Sequence, residues 1–106
     1  MITVLAVGPG AEDLAGFGAS HPSVEVVTAR GAEEALERLA RNRRIDAVLL
    51  LAGGEAHEAA KLIAEEDPGA PPVFIASKRE AAEGVRAIEP DTPAAMLDRI
   101  VRALSG

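Results

Sequence analysis

Short apolar runs alternate along this chain with longer segments in which apolar residues recur every three or four positions. The runs are bounded by glycine, proline or serine, and they predict five β-strands. These strands are predicted at residues 2–7, 24–29, 46–52, 72–77 and, less clearly patterned than the others, 84–88. The first, third and fourth runs are apolar almost throughout, which is typical of strands that are covered on both faces of a sheet.

The segments between these runs have the helical period. Residues 31–44 show it best, with one apolar stripe and two favourable pairs at i,i+4 spacing, Glu34–Arg38 and Glu37–Arg41. The stripe consists of Ala32, Ala35, Leu36, Leu39 and Ala40. A second helix is predicted over residues 55–67.

The first and last helices differ in quality. Residues 11–21 include Gly16 and Gly18, each of which costs a helix about 1 kcal/mol relative to alanine, so we expect this helix to be short or irregular. The last helix has Thr92 as its predicted N-cap and Pro93 at its first helical position. Its predicted core stripe consists of Met96, Leu97, Ile100, Val101 and Leu104.

Strict alternation of strands and helices with short connections predicts a parallel sheet with right-handed crossovers. The expected fold is a flavodoxin-like, doubly wound α/β/α layer with strand order 2-1-3-4-5. A length of 106 residues fits a single domain, residues 1–106.

Composition excludes several classes of function. The chain has no cysteine, so disulfides and thiolate chemistry are ruled out. A formal net charge of −6 argues against binding to nucleic acid or to an anionic membrane. The first residues lack a basic leader and no apolar run is long enough to span a bilayer, so the cytoplasm is the expected location.

The segment VEVVTARGAEEALERLARNRRIDAVLLLA (24–52) resembles the second strand, second helix and third strand of response-regulator receiver domains. The closing segment AIEPDTPAAMLDRIVRAL (87–104) is similar to the last helix of that family. The resemblance implies a switch in which an aspartate after the third strand accepts a phosphoryl group. It also implies acidic Mg²⁺ ligands after the first strand, a lysine after the fifth strand, a Ser or Thr, and an aromatic switch residue.

Carried over residue by residue, this phosphorylation centre is nearly all missing. The acceptor position falls on Leu51, the acidic positions on Gly8 and Pro9, and the lysine position on Glu89. Arg86 stands at the aromatic position. The family pattern survives only at Ser77 and Pro90. The resemblance therefore implies a pseudo-receiver that needs neither metal nor cofactor, is not an enzyme, and communicates by protein–protein contact in a bacterial signalling or localisation system.

The expected partner is another protein, or a second copy of the chain in a homodimer. The candidate surface is the face built from the segment before the fifth strand, that strand and the last helix. Its residues are Lys78, Arg79, Glu80, Glu83, Asp98, Arg99 and Arg102. A mobile, solvated segment before the fifth strand is an equally open interpretation.

Three other features have weaker functional interpretations. VGPG (7–10) with Arg30 could bind a nucleotide, although Pro9 removes an amide and Asp13 adds repulsion. The same turn, together with AGG (52–54) and its Gly53 and Gly54, could instead line a crevice for another small ligand between strands one and three. His57 has no partner at a spacing typical of a catalytic triad. Arg41, Arg43 and Arg44 suit a helix C-terminus, or else an acidic partner.

Overall fold

The computed structural model describes residues 2–8, 10–19, 24–42, 44–51, 56–66, 69, 71–76, 85–89 and 91–105. The strands are β1 (Ile2–Val7), β2 (Val24–Ala29), β3 (Ala47–Leu50), β4 (Val73–Ala76) and β5 (Val85–Ile88). The helices are α1 (Ala11–Ala19), α2 (Ala32–Arg41), α3 (Ala56–Glu66) and α4 (Pro93–Ser105). None of the helices in these ranges is long and apolar enough to cross a membrane.

The five strands form one parallel sheet in the order β2-β1-β3-β4-β5. This order confirms the predicted doubly wound topology. β1 lies between β2 and β3, and its Val4–Val7 segment is completely or almost completely buried. All five strands run in one direction, so the residues that follow them meet at a single edge of the sheet, called here the carboxyl edge.

Two apolar clusters cover the two faces of the sheet. On one face, Leu14 of α1 and Leu97 and Ile100 of α4 pack against Leu49 and Phe74. On the other face, Leu39 of α2 and Ile63 of α3 pack against the sheet. This is the expected three-layer arrangement, with α1 and α4 on one side and α2 and α3 on the other.

Several element boundaries and burial assignments differ from the prediction. β3 spans only four residues, with Asp46 before it and Leu51 just past its end, whereas the prediction began at Asp46 and ran to Ala52, which lies outside the described residues. α1 is a nine-residue helix, short as expected. Ala40 is exposed rather than part of the buried stripe, since it is rotated by about 100° from the buried Leu39 around the axis of α2.

Local hydrogen bonds explain where the elements begin and how they hold together. At the start of the sheet, the N–H of Thr3 donates to Oδ2 of Asp46 (2.9 Å), and the N–H of Asp46 donates back to the carbonyl of Thr3 (2.8 Å). Thr92 caps α4 as predicted, because its Oγ1 accepts from the N–H of Ala95 at 3.3 Å. The two predicted ion pairs on α2 are also present, at 3.5 Å and 2.8 Å.

Candidate functional site

Leu51 occupies the carboxyl edge of the sheet directly after β3. Its N–H donates to the carbonyl of Val7 at 2.9 Å, so Leu51 extends the parallel pairing one residue beyond the strand. Its side chain is only 8% exposed and belongs to the apolar cluster under α1 and α4, with Ala11, Leu14 and Met96. The residue is thus held by the backbone on one side and by apolar packing on the other.

Gly8 and Gly10 form the turn that joins β1 to α1. Both adopt positive φ angles, +105° and +89°, which side chains of L-residues rarely allow. A Cβ on Gly8 would stand 3.2 Å from the carbonyl oxygen of Leu51. A Cβ on Gly10 would meet only Leu51 Cδ1, at 3.9 Å. The backbone of this turn therefore lies directly against Leu51.

The position that the resemblance gives to a lysine holds Glu89, which is exposed just after β5. Two strand spacings, about 10 Å, separate the ends of β3 and β5. Arg86, at the aromatic position, is exposed on β5 beside Phe74 of β4. Neither of these side chains provides a positive charge next to Leu51 or an aromatic ring on β5.

Arg99 makes a contact that the sequence pattern did not reveal. From α4, its Nη1 donates to the carbonyl oxygen of Glu89 at 2.8 Å, and its Nη2 pairs with Oδ2 of Asp91 at 3.1 Å. Asp91 in turn accepts the N–H of Thr92 at 2.8 Å. We call this group, Glu89, Asp91 and Arg99, the β5–α4 clamp. Arg99 is therefore engaged within the chain, although it was predicted to be part of a partner surface.

Of the other residues predicted for the partner surface, Asp98 and Arg102 are exposed on α4. The remaining four, Lys78, Arg79, Glu80 and Glu83, lie outside the described residues. So do four residues of other predictions, namely Pro9, Arg43, Ser77 and Pro90. His57 lies in α3, but its side chain is not among those described.

A cleft of about 560 Å³ opens at the carboxyl edge, above the ends of β1 and β2. Its lining includes Gly8 and Gly10 of the turn and Arg30 after β2. The ligand crevice suggested by the sequence was placed between β1 and β3, with Gly53 and Gly54, which lie outside the described residues. The nucleotide interpretation at that place stays a prediction.

The described residues near Leu51 do not provide the donors of a receiver-type magnesium site. Mg²⁺ prefers carboxylate and other oxygen ligands, whereas the described positions beside Leu51 are glycines and apolar residues. Among the described residues, no group of three or more His, Asp or Glu side chains is arranged to hold a metal ion.

No protein-family model matches the sequence, and no curated protein matches it. Solved structures do match. A complex of histidine kinase ThkA with response regulator TrrA has a chain of 19% identity and TM-score 0.73, aligned over the whole of both chains. The chain has the fold of a receiver domain. TrrA from Thermotoga maritima bound to Mg²⁺-BeF is 20% identical, with a TM-score of 0.71 and coverage of 98% of this chain and 99% of that one.

A third similar structure contains CheY6 from R. sphaeroides in complex with the phosphorylated P1 domain of CheA3. Its identity is 25% and its TM-score 0.63, over 96% of this chain and 97% of that one. The same receiver-like fold also matches part of a Francisella novicida lysine decarboxylase, at 16% identity and over 17% of that chain. Because one fold occurs in proteins of such different kinds, function has to be argued from the site.

Proposed function

We propose that this chain is a pseudo-receiver: a phosphorylation-independent protein-interaction module of a signalling or localisation system. The observation that carries the proposal is Leu51, a buried apolar side chain at the position where a receiver of the resembled family has its phospho-acceptor aspartate. An acyl phosphate needs a carboxylate oxygen as the nucleophile. Leucine has no atom that can attack phosphorus.

The surroundings of Leu51 support the same conclusion. The turn at Gly8 offers no carboxylate at a position where the family has a metal ligand. At the lysine position, Glu89 carries a negative charge that would repel phosphoryl oxygens rather than attract them. Three positions of the family's phosphorylation centre thus carry other residues: the acceptor, one metal ligand and the lysine. Loss of all three is more than one tolerated substitution would explain.

We propose that this domain transmits information by contact with another protein. Two of the similar structures are complexes of receiver-type chains with a histidine kinase or with a P1 domain. On this chain, we propose that the exposed side of α4, with Asp98 and Arg102, belongs to the contact surface. The partner is a protein or a second copy of this chain, and the proposed location is the cytoplasm. We propose no catalytic activity.

A titration with beryllofluoride and Mg²⁺ tests whether this chain binds a mimic of the phosphoryl group. The uniformly labelled chain is titrated with both ions, and backbone amide shifts of Gly8, Leu51 and Glu89 are followed by NMR; TrrA serves as the control that binds this complex. We expect the control to shift and this chain to remain unchanged. Saturable shifts at Gly8 and Leu51 would contradict the proposal.

Sedimentation velocity over a range of protein concentrations tests whether α4 forms a contact between two copies of the chain. If the chain pairs with itself through α4, Arg102→Glu lowers the association constant, whereas Arg44→Glu, an exposed control in the connection between α2 and β3, leaves it unchanged. Equal changes of the association constant in the two variants would show that α4 is not part of the interface. Arg99 is avoided in this experiment because its loss would also break the β5–α4 clamp.

A further inference from the structure

The cleft above β1 and β2 has walls of opposite charge. Its volume of about 560 Å³ lies within the range of roughly 300–1,000 Å³ typical of small-molecule sites. One wall is the first turn of α1, with Glu12 and Asp13. The other wall comes from the end of β2 and from α2, with Arg30, Glu34 and Arg38.

The charges of the two walls are not paired with each other. Arg38 pairs with Glu34 along α2 at 3.5 Å, which leaves that pair electrically neutral. Among the described residues, Arg30 has no carboxylate partner and Glu12 and Asp13 have no cationic one. Within the described part of the chain, the cleft therefore presents one unpaired guanidinium and two unpaired carboxylates, all on exposed side chains.

The floor of the cleft is built from residues with little or no side chain. Gly8, Gly10, Ala11 and Ala29 line it, and the N–H of Gly8 is bonded to the carbonyl of Ala29 at 3.0 Å. The N–H groups of Ala11 and Asp13 are also occupied, by the carbonyls of Gly8 and Gly10. A bound anion would meet Arg30 in a cleft that also holds the carboxylates of Glu12 and Asp13, and their repulsion disfavours a doubly charged phosphate more than a singly charged carboxylate.

We propose that this cleft binds a free basic amino acid of the lysine or arginine type. Such a molecule has one carboxylate and two cationic groups, the complement of one guanidinium and two carboxylates. Its carboxylate pairs with Arg30, and its two cationic groups lie at Glu12 and Asp13. The hydroxyl of Thr28, which also lines the cleft, offers an additional hydrogen bond. The site is independent of the proposed protein contact at α4.

Isothermal titration with L-lysine and two truncated analogues tests this inference. Cadaverine lacks the carboxylate and norleucine lacks the side-chain ammonium. We expect each analogue to bind at least about tenfold more weakly, which is the effect of losing one charge-assisted contact. Equal affinity for L-lysine and cadaverine, or no saturable binding of L-lysine in the millimolar range, would overturn the proposal.

Matched variants assign the binding to the cleft. Arg30→Gln is compared with Arg44→Gln, an exposed arginine outside the cleft, and Asp13→Asn with Glu33→Gln, which stands in the first turn of α2 outside this cleft. We expect only the two cleft variants to weaken L-lysine binding tenfold, while melting temperatures within each pair stay alike. Unchanged binding to the Arg30 variant would contradict the assignment.

Discussion

The carbonyl oxygen of Leu51 lies 3.2 Å from the point where a Cβ on Gly8 would stand. Gly8 has φ +105°, a conformation that is strained for other residues. The turn at Gly8 thus lies against the backbone of Leu51. Replacing Gly8 by the aspartate of an active receiver would place a side chain against this carbonyl.

Substitution of Gly8 tests this fit. We expect Gly8→Ala and Gly8→Asp each to lower the free energy of unfolding by about 1–3 kcal/mol, because of the positive φ and the close carbonyl. Gly16→Ala is the control, since Gly16 is exposed within α1 and a Cβ there meets nothing within 4 Å. It should raise stability by about 0.5–1 kcal/mol. Urea denaturation measures the free energy of unfolding of all three variants. An unchanged free energy of unfolding for Gly8→Ala would contradict the described conformation of this turn.

Placing an aspartate at Leu51 should destabilise the fold more than shortening the side chain does. Leu51→Ala removes apolar contacts at a cost of about 2–3 kcal/mol, whereas Leu51→Asp also brings a carboxylate into an apolar cluster.

The difference between these two variants depends on pH in a defined direction. Burial raises the folded-state pKa of the introduced carboxyl above its unfolded value. The extra destabilisation is then present at neutral pH and disappears as pH falls below the unfolded pKa of about 4. Urea denaturation at pH 7 and pH 4 measures the difference in the free energy of unfolding between the two variants. A larger difference at pH 4 than at pH 7 would contradict the burial of position 51.

Loss of the β5–α4 clamp should destabilise the segment that precedes α4. Arg99→Ala loses one hydrogen bond to Glu89 and one ion pair with Asp91, and both partners are partly exposed. We expect a loss of about 1 kcal/mol and faster amide exchange at Thr92. Arg102→Ala, also on α4, should change stability by less than about 0.5 kcal/mol. Equal exchange rates in the two variants would show that the clamp does not hold the loop.

The cap of α4 gives a separate prediction. Thr92→Ala removes the oxygen that accepts from the N–H of Ala95, so stability should fall by about 1 kcal/mol. Thr92→Ser keeps the acceptor and should retain most of that stability. Thermal unfolding of both variants checks the point, and equal losses would show that the methyl group of Thr92 matters rather than its hydroxyl.

The sequence predicted the sheet order because hydrophobic patterns and strand spacing are local properties. The bounds of β1 and β2 were predicted as observed, since Gly8 and Arg30 mark abrupt changes of character directly after them. Ala40 was misassigned because alanine is compatible with either side of a helix, so the edge of an apolar stripe is poorly defined by it.

The functional features were less accessible to sequence analysis. The proposal that Leu51 stands at the acceptor position requires only the family pattern, whereas its contact with Gly8 depends on the path of two loops. The pairing of Arg99 with Asp91 joins residues on different elements, and the pattern of α4 indicated only that Arg99 is polar. The cleft near Arg30 exists because β1 and β2 are neighbours, which no local motif records.

Incubation with a small phosphodonor and Mg²⁺, followed by intact mass measurement, tests the pseudo-receiver proposal most directly. A receiver domain that has its aspartate is treated in parallel, to show that the donor is active. We expect the control to gain one phosphoryl group and this chain to keep its mass. A phosphoryl adduct on this chain that is labile to hydroxylamine, as an acyl phosphate is, would contradict the proposal.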